Sequence, residues 1–146
     1  DLAAEAARDL VEQSIDDIAN VQSIVDFEPS SATIITPAEW KYMFVELLKE
    51  QLEDTYDPGE IIKALMQTEL RKHGKQIAKL VPAMTKDRSK IPAFLLTKDH
   101  EYTALRNARE RIQERTGLAV MLETEEESEH SKAQSAMPGK PAFVLA

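Results

Sequence analysis

Seven basic residues, Arg71, Lys72, Lys75, Lys79, Lys86, Arg88 and Lys90, crowd between positions 71 and 90 against a single acid, Asp87. Their net charge of +6 stands out in a chain whose total is −8, since residues 1–70 carry −12 and residues 91–146 carry −2. Lysine and arginine grouped in this way can neutralise phosphates, the chemistry of a patch that faces a polyanion. Lys72, Lys75, Lys79 and Lys86 recur at intervals of three, four and seven, which lines them up on one helix face with Arg71 beside them. Leu70, Ile77, Leu80, Val81 and Met84 mark the opposite face as the buried one. A row of lysines is also what an ordinary solvated helix face looks like, so charge alone leaves both readings open.

Other chemistry is harder to assemble. With no cysteine there is no disulfide, thiolate metal site or cysteine nucleophile. His73, His100 and His130 fall on three separate elements, and none has an inward ligand at helical metal-binding spacing. His73 sits on the apolar face beside Gly74 and reads as a hydrogen-bonded core histidine. Glu123, Glu125, Glu126, Glu127 and Glu129 form an acidic run in an expected loop, where rigid positioning for acid–base work is difficult. Four glycines cannot make a dinucleotide or nucleoside-triphosphate loop. Catalytic and metal-ligating residues are therefore expected to be absent, and the chain reads as a binding module.

The elements that must hold the basic face follow from local signals. Residues 2–26 carry an apolar stripe, Ala7, Leu10, Val11, Ile15, Ile18, Val21 and Val25, and predict a long helix with no residue ahead of it to cap it. Ala32–Ile35 is a short β-branched strand. Thr36-Pro-Ala-Glu39 is a helix start with a capping residue, a first-turn proline and a capping-box glutamate, and Trp40, Phe44, Leu47, Leu48 and Leu52 face inward from the helix it opens. Asp57-Pro-Gly-Glu60 opens a third helix, and Thr68 caps the basic one, in which Pro82 predicts a kink or an early end. Ile91–Leu96 reads as a short strand or a packed loop. Asp99 caps a fifth helix that Gly117 ends, Leu118–Leu122 is a strand, residues 123–140 form a mobile hairpin loop, and Ala142–Leu145 is a last strand. The expected class is α/β (α+β): a small mixed sheet of about three strands covered by four or five helices and preceded by a long N-terminal helix. No apolar run has the roughly 18 residues that a membrane span needs. The first residue is not methionine and already lies in a helical pattern, so the chain reads as a piece of something longer.

Two stretches carry a resemblance. Glu69-Leu-Arg-Lys-His-Gly-Lys-Gln-Ile-Ala-Lys79 resembles a segment near the C-terminus of archaeal-type leucyl-tRNA synthetases, and Ala136-Met-Pro-Gly-Lys-Pro-Ala142, with the strand after it, resembles their last residues. Pro37-Ala-Glu-Trp40 and the order of elements between also fit, so the likeness covers most of the chain. It implies a division into residues 1–27, the end of a preceding helical anticodon-binding-type domain, and residues 28–146, a C-terminal tRNA-recognition domain. That family of class I ligases uses ATP and Mg²⁺ to join leucine to its tRNA. Its His-Ile-Gly-His-like and Lys-Met-Ser-Lys-Ser-like signatures do not occur here, so this fragment is expected to hold no cofactor and to do no catalysis.

The partners implied are the long variable arm of the leucine tRNA and the other domains of the same cytoplasmic synthetase, with no DNA and no membrane. The RNA-binding residues expected are Arg71, Lys72, Lys75, Lys79 and Lys140, with Leu145 and Ala146 at the family's terminal positions. The family often ends in an acidic residue; Ala146 here can offer only backbone groups. Lys140 reads equally as a plain loop lysine. The competing class is an acidic protein–protein module in which the helices over 2–26 and 37–54 face a basic partner, with no role for RNA.

Overall fold

The computed structural model describes all of residues 1–146 and divides into two compact units, one made of residues 1–38 and 96–146, the other of residues 39–95. The first unit is built around a three-stranded sheet. Its central strand β1 (Ser31–Thr36) pairs in parallel with β2 (Ala119–Thr124) on one side and antiparallel with β3 (Ala142–Leu145) on the other. A hairpin between β2 and β3 is thereby excluded, because β1 lies between them.

Side chains alternate across a strand, and here both alternations are buried. Ala32 and Ile34 share a core with Val120, Leu118, Leu105 and Ile112 and with Leu10, Val11, Ile15 and Ile18. Ile35 points the other way, into a small cluster with Ala133, Ala136 and Ala142. Burying an isoleucine this fully is worth roughly 1.5–3 kcal/mol, which fixes the register of β1 from both faces.

Three helices share the larger core with the sheet: α1 (Leu2–Gln22), α5 (Lys98–Asn107) and α6 (Arg109–Thr116). The capping of α1 differs from expectation, for the Asp1 carboxylate accepts the Ala3 N–H at 2.9 Å. The helix also ends four residues early, where the Ser23 hydroxyl donates to the Asn20 carbonyl at 2.7 Å; Ile24 is 78% exposed, so a further turn would bury little. Its far end is tied to α6 by Gln22 Nε2, which donates to the Thr116 carbonyl at 2.9 Å. The single helix predicted from Asp99 is two, broken at Ala108, and Thr97 rather than Asp99 accepts an N–H of the first turn, from His100. Gly117 closes α6 in the left-handed region at φ 75°, as its position after the last periodic residue predicts.

The acidic run is a folded connection. Glu125 Oε1 accepts the Ala38 N–H at 2.9 Å, Glu127 Oε1 accepts the Thr124 N–H at 2.9 Å, and Glu126 pairs with Lys98 at 2.8 Å. A 3-10 segment, Ser131–Ser135, and a tight turn closed by Met137 and Lys140 complete the path to β3.

The second unit is helical: α2 (Glu39–Gln51), α3 (Pro58–Leu65) and α4 (Gly74–Lys86), with 3-10 turns at Glu69–His73 and Arg88–Lys90. Tyr42, Phe44, Val45, Leu48, Leu52, Ile61, Leu65, Leu70, Ile77, Val81 and Met84 are its buried apolar residues. The start of α3 follows its signal, with Asp57 accepting the Gly59 N–H at 2.9 Å and Pro58 in the first turn. Ile91–Leu96 is a loop, fixed in part by Lys49 Nζ, which donates to the Pro92 and Ala93 carbonyls at 3.1 Å each.

Candidate nucleic-acid interface

The basic segment is not one helix. Thr68 accepts the Leu70 N–H at 3.1 Å and starts a 3-10 turn that carries Arg71 and Lys72; α4 follows from Gly74 and carries Lys75, Lys79 and Lys86. The junction is held by His73, whose ring stacks on Trp40 with centroids 4.2 Å apart and planes 7° from parallel. His73 is thus half-buried against an aromatic plane on α2. A Cβ on Gly74 would come within 3.1 Å of Met66 Sδ, so the chain passes close to α3 there.

Pro82 does not end α4, which runs four residues past it to Lys86. Proline removes one backbone donor, yet Val81 and Met84 on either side are buried and hold the turn, while Pro82 itself is exposed. The Thr85 hydroxyl donates to the Pro82 carbonyl at 3.0 Å.

Because Ile77, Val81 and Met84 take the inner face, Lys75, Lys79 and Lys86 are left on the outer one, continuing the exposed Arg71 and Lys72. None of Arg71, Lys72, Lys75 and Lys79 makes an ion pair. Along the axis Lys75 and Lys79 are separated by roughly 6 Å, from 1.5 Å of rise per residue. Such a row is mobile at its tips and dense in charge, and its fit is to a phosphate chain. Beyond it, Arg88 lies over the ring of Tyr56 at 4.8 Å, a cation–aromatic pair that sequence spacing does not reveal because the partners are so far apart along the chain.

The remaining expected RNA residues lie in the other unit. Lys140 exchanges backbone hydrogen bonds with Met137 at 2.7 and 3.0 Å across a turn whose Gly139, at φ 82°, donates its N–H to Glu101 Oε1 at 2.8 Å. Its side chain is exposed. Leu145 pairs with Ala32 and packs on the sheet core. Ala146 extends the ladder by one step: its N–H donates to the Ser31 carbonyl at 3.0 Å, and its carbonyl accepts from Ser30 and Ser31 at 2.7 and 3.0 Å. Arg71, Lys72, Lys75 and Lys79 are thus all exposed within one unit, and Lys140, Leu145 and Ala146 belong to the other.

No group of three or more histidine, aspartate and glutamate side chains is placed to hold a metal ion, and no helix is long and apolar enough to cross a membrane. A small α+β scaffold thus displays a cationic helix face free of ion pairs, and its sequence relatives are leucine–tRNA ligases. Over nearly its whole length the chain matches leucine–tRNA ligases of several archaea, through a C-terminal part of those proteins. It is 34% identical over 142 residues to leucine–tRNA ligase of Pyrococcus abyssi, covering 97% of this chain and 14% of that protein. It is 34% identical over 148 residues to the enzyme of Archaeoglobus fulgidus, covering 100% and 15%, and 32% identical over 142 residues to that of Pyrococcus furiosus, covering 97% and 14%. The chain therefore spans about one seventh of the length of these relatives. No protein-family model matches it.

Proposed function

We propose that this chain is a tRNA-contacting segment of a cytoplasmic leucine–tRNA ligase. It binds the long variable arm of the leucine tRNA and supports aminoacylation without carrying out the chemistry. ATP and Mg²⁺ are assigned to the remainder of the ligase, since the chain has neither a glycine-rich phosphate loop nor a carboxylate group set for a cation. Residues 1–27 are assigned to the end of a preceding helical domain of that ligase, its last helix packing on the sheet core of the segment that follows. The observation that carries the reading is the exposed, ion-pair-free row of Arg71, Lys72, Lys75 and Lys79 on a chain related to leucine–tRNA ligases. Lys140 adds a cation beside the final strand, whereas the Ala146 N–H and carbonyl are already bonded to Ser30 and Ser31, so Ala146 serves this surface by anchoring β3.

Counterion release sets the energetics. Each phosphate that a lysine neutralises contributes roughly 0.7 to 0.9 to the slope of log affinity against log salt concentration. An isolated segment binds weakly because the intact ligase supplies effective concentration by tethering.

The test is fluorescence anisotropy with a labelled leucine tRNA at low salt, against the same tRNA with a shortened variable arm. Preference for the long arm, and a salt slope about 2 to 3 smaller for the Lys72→Glu, Lys75→Glu, Lys79→Glu triple variant, are the expected results. Equal binding to both RNAs defeats the variable-arm assignment. No binding to either, with capture of a basic protein that is lost on charge reversal along α1 or α2, would instead support the acidic protein–protein module.

A further inference from the structure

We infer that the first unit carries a second RNA-phosphate site, in a groove along α5 and α6 that Arg106, Asn107, Arg109, Glu110 and Gln113 line. The inference rests on the reading that the chain contacts tRNA, and it concerns a surface distinct from the lysine row of α4.

Two of the lining side chains are clamped to the outer edge of β2. Arg109 Nε donates to the Val120 carbonyl at 2.8 Å, and Gln113 Oε1 accepts the Val120 N–H at 3.0 Å. Arginine and glutamine one helical turn apart thus stand in for a neighbouring strand at that residue. The clamp uses one edge of each group and leaves the other. Arg109 keeps the terminal nitrogens of its guanidinium, and Gln113 keeps its amide N–H₂. Both are donors whose orientation is already fixed by the sheet, so little rotamer entropy is lost when they take up an anion.

Arg106 and Asn107 add further donors across a groove of about 640 Å³. Charge use nearby sharpens the contrast. Arg111 and Arg115, on the same helix as Arg109, both pair with Glu12, at 3.3 and 3.5 Å. Arg106 and Arg109 make no ion pair, not even with Glu110 beside them, in a unit where 17 acidic residues face 8 basic ones. Unpaired arginines in so acidic a setting, one of them braced, suit a ligand that brings its own negative charge. A planar fork and an amide match the oxygens of a phosphodiester. An acidic unit repels a polyanion at long range, so the site acts at short range once the RNA is held elsewhere.

Arg109 is a poor residue to remove, because its loss also frees the Val120 carbonyl. Arg106→Glu breaks no hydrogen bond or ion pair of the folded chain. Gln113→Glu keeps an oxygen to accept the Val120 N–H while replacing the amide donor with a charge that repels phosphate. Binding of labelled leucine tRNA is measured by anisotropy across a salt series for each variant, their double and the α4 triple variant, with circular dichroism to verify folding. The double is expected to bind about tenfold more weakly, with a salt slope smaller by about 1 for each phosphate that is no longer neutralised. In ¹⁵N spectra of the unmodified chain, the Arg109 Nε–H and Gln113 amide signals should shift when RNA is added. A folded double variant that binds within twofold of the unmodified chain, or silence of both signals, overturns the site. If that happens while the α4 triple variant still loses affinity, the main reading stands alone. Weaker binding by the double variant with none in the triple leaves the groove and removes the lysine row. No RNA binding by the unmodified chain removes both.

Discussion

Replacing Glu125 with alanine removes the acceptor of the Ala38 N–H, which lies just ahead of α2 on a residue only 6% exposed. A buried N–H that loses its partner costs about 1–3 kcal/mol, and the loss of a side-chain cap at a helix start costs about 1 kcal/mol. The two figures describe the same bond and are not summed, so the expected loss is about 1–2 kcal/mol. The Glu125 N–H still donates to the Thr36 carbonyl at 2.8 Å, so the loop path itself survives the change. Glu129→Ala, in the same run but exposed, serves as the control and is expected to fall within about 0.5 kcal/mol of the unmodified chain. Glu125→Gln keeps an acceptor oxygen and should recover part of the loss. The assay is urea denaturation followed by circular dichroism, with amide exchange at Ala38 as the local readout. Equal midpoints for Glu125→Ala and Glu129→Ala, with unchanged exchange at Ala38, would refute the reasoning and return the acidic run to an ordinary solvated loop.

Other substitutions test the supports of the candidate surfaces. Ile77→Ala empties a fully buried site under α4 and should cost about 2–5 kcal/mol in denaturation; a cost below about 1 kcal/mol would mean that α4 is not packed as described. Gly117→Ala places a Cβ at φ 75°, where nothing lies within 4 Å, so only backbone strain opposes it. The expected cost is about 1 kcal/mol in thermal unfolding. His73→Ala removes the stack on Trp40, worth about 0.5–1.5 kcal/mol, and should speed amide exchange between residues 69 and 76 before it affects the rest of the chain.

Local signals were the legible part of the sequence. Asp57-Pro58 opens α3 because a carboxylate acceptor and a fixed φ act within two residues, and Gly117 ends α6 because only its own backbone has to turn. The bounds of β3 match its apolar run, which begins after Pro141 because proline has no N–H to give to a ladder. What could not be read depends on partners far along the chain. Nothing near Ala142 says that β3 pairs with β1 rather than with β2, and nothing near Glu125 says that its carboxylate reaches Ala38. Pro82 misled in the opposite sense: the local rule was sound, and burial of Val81 and Met84 outweighed it. The lysine row was visible because helical periodicity is written in the sequence. The Trp40–His73 stack that seats it was not, for those rings come from helices far apart in the chain.

The pairing of β1 between two late strands has a consequence for how the chain acquires its structure during synthesis. Residues 39–95 form a compact unit that is contiguous in sequence, and all of its segment is synthesised before β2 and β3. β1 precedes it, yet both of its neighbours come after position 118. Closing a sheet across an insert of that size, rather than across a short hairpin, costs about 2 kcal/mol more in chain entropy, and pairings of this range form slowly. Until β2 and β3 arrive, Ile34 and Ile35 present an apolar strand with two open edges. A nascent chain in that condition is a client for chaperones. Its vulnerability to aggregation therefore lies in residues 31–36, a segment almost wholly hidden in the finished protein.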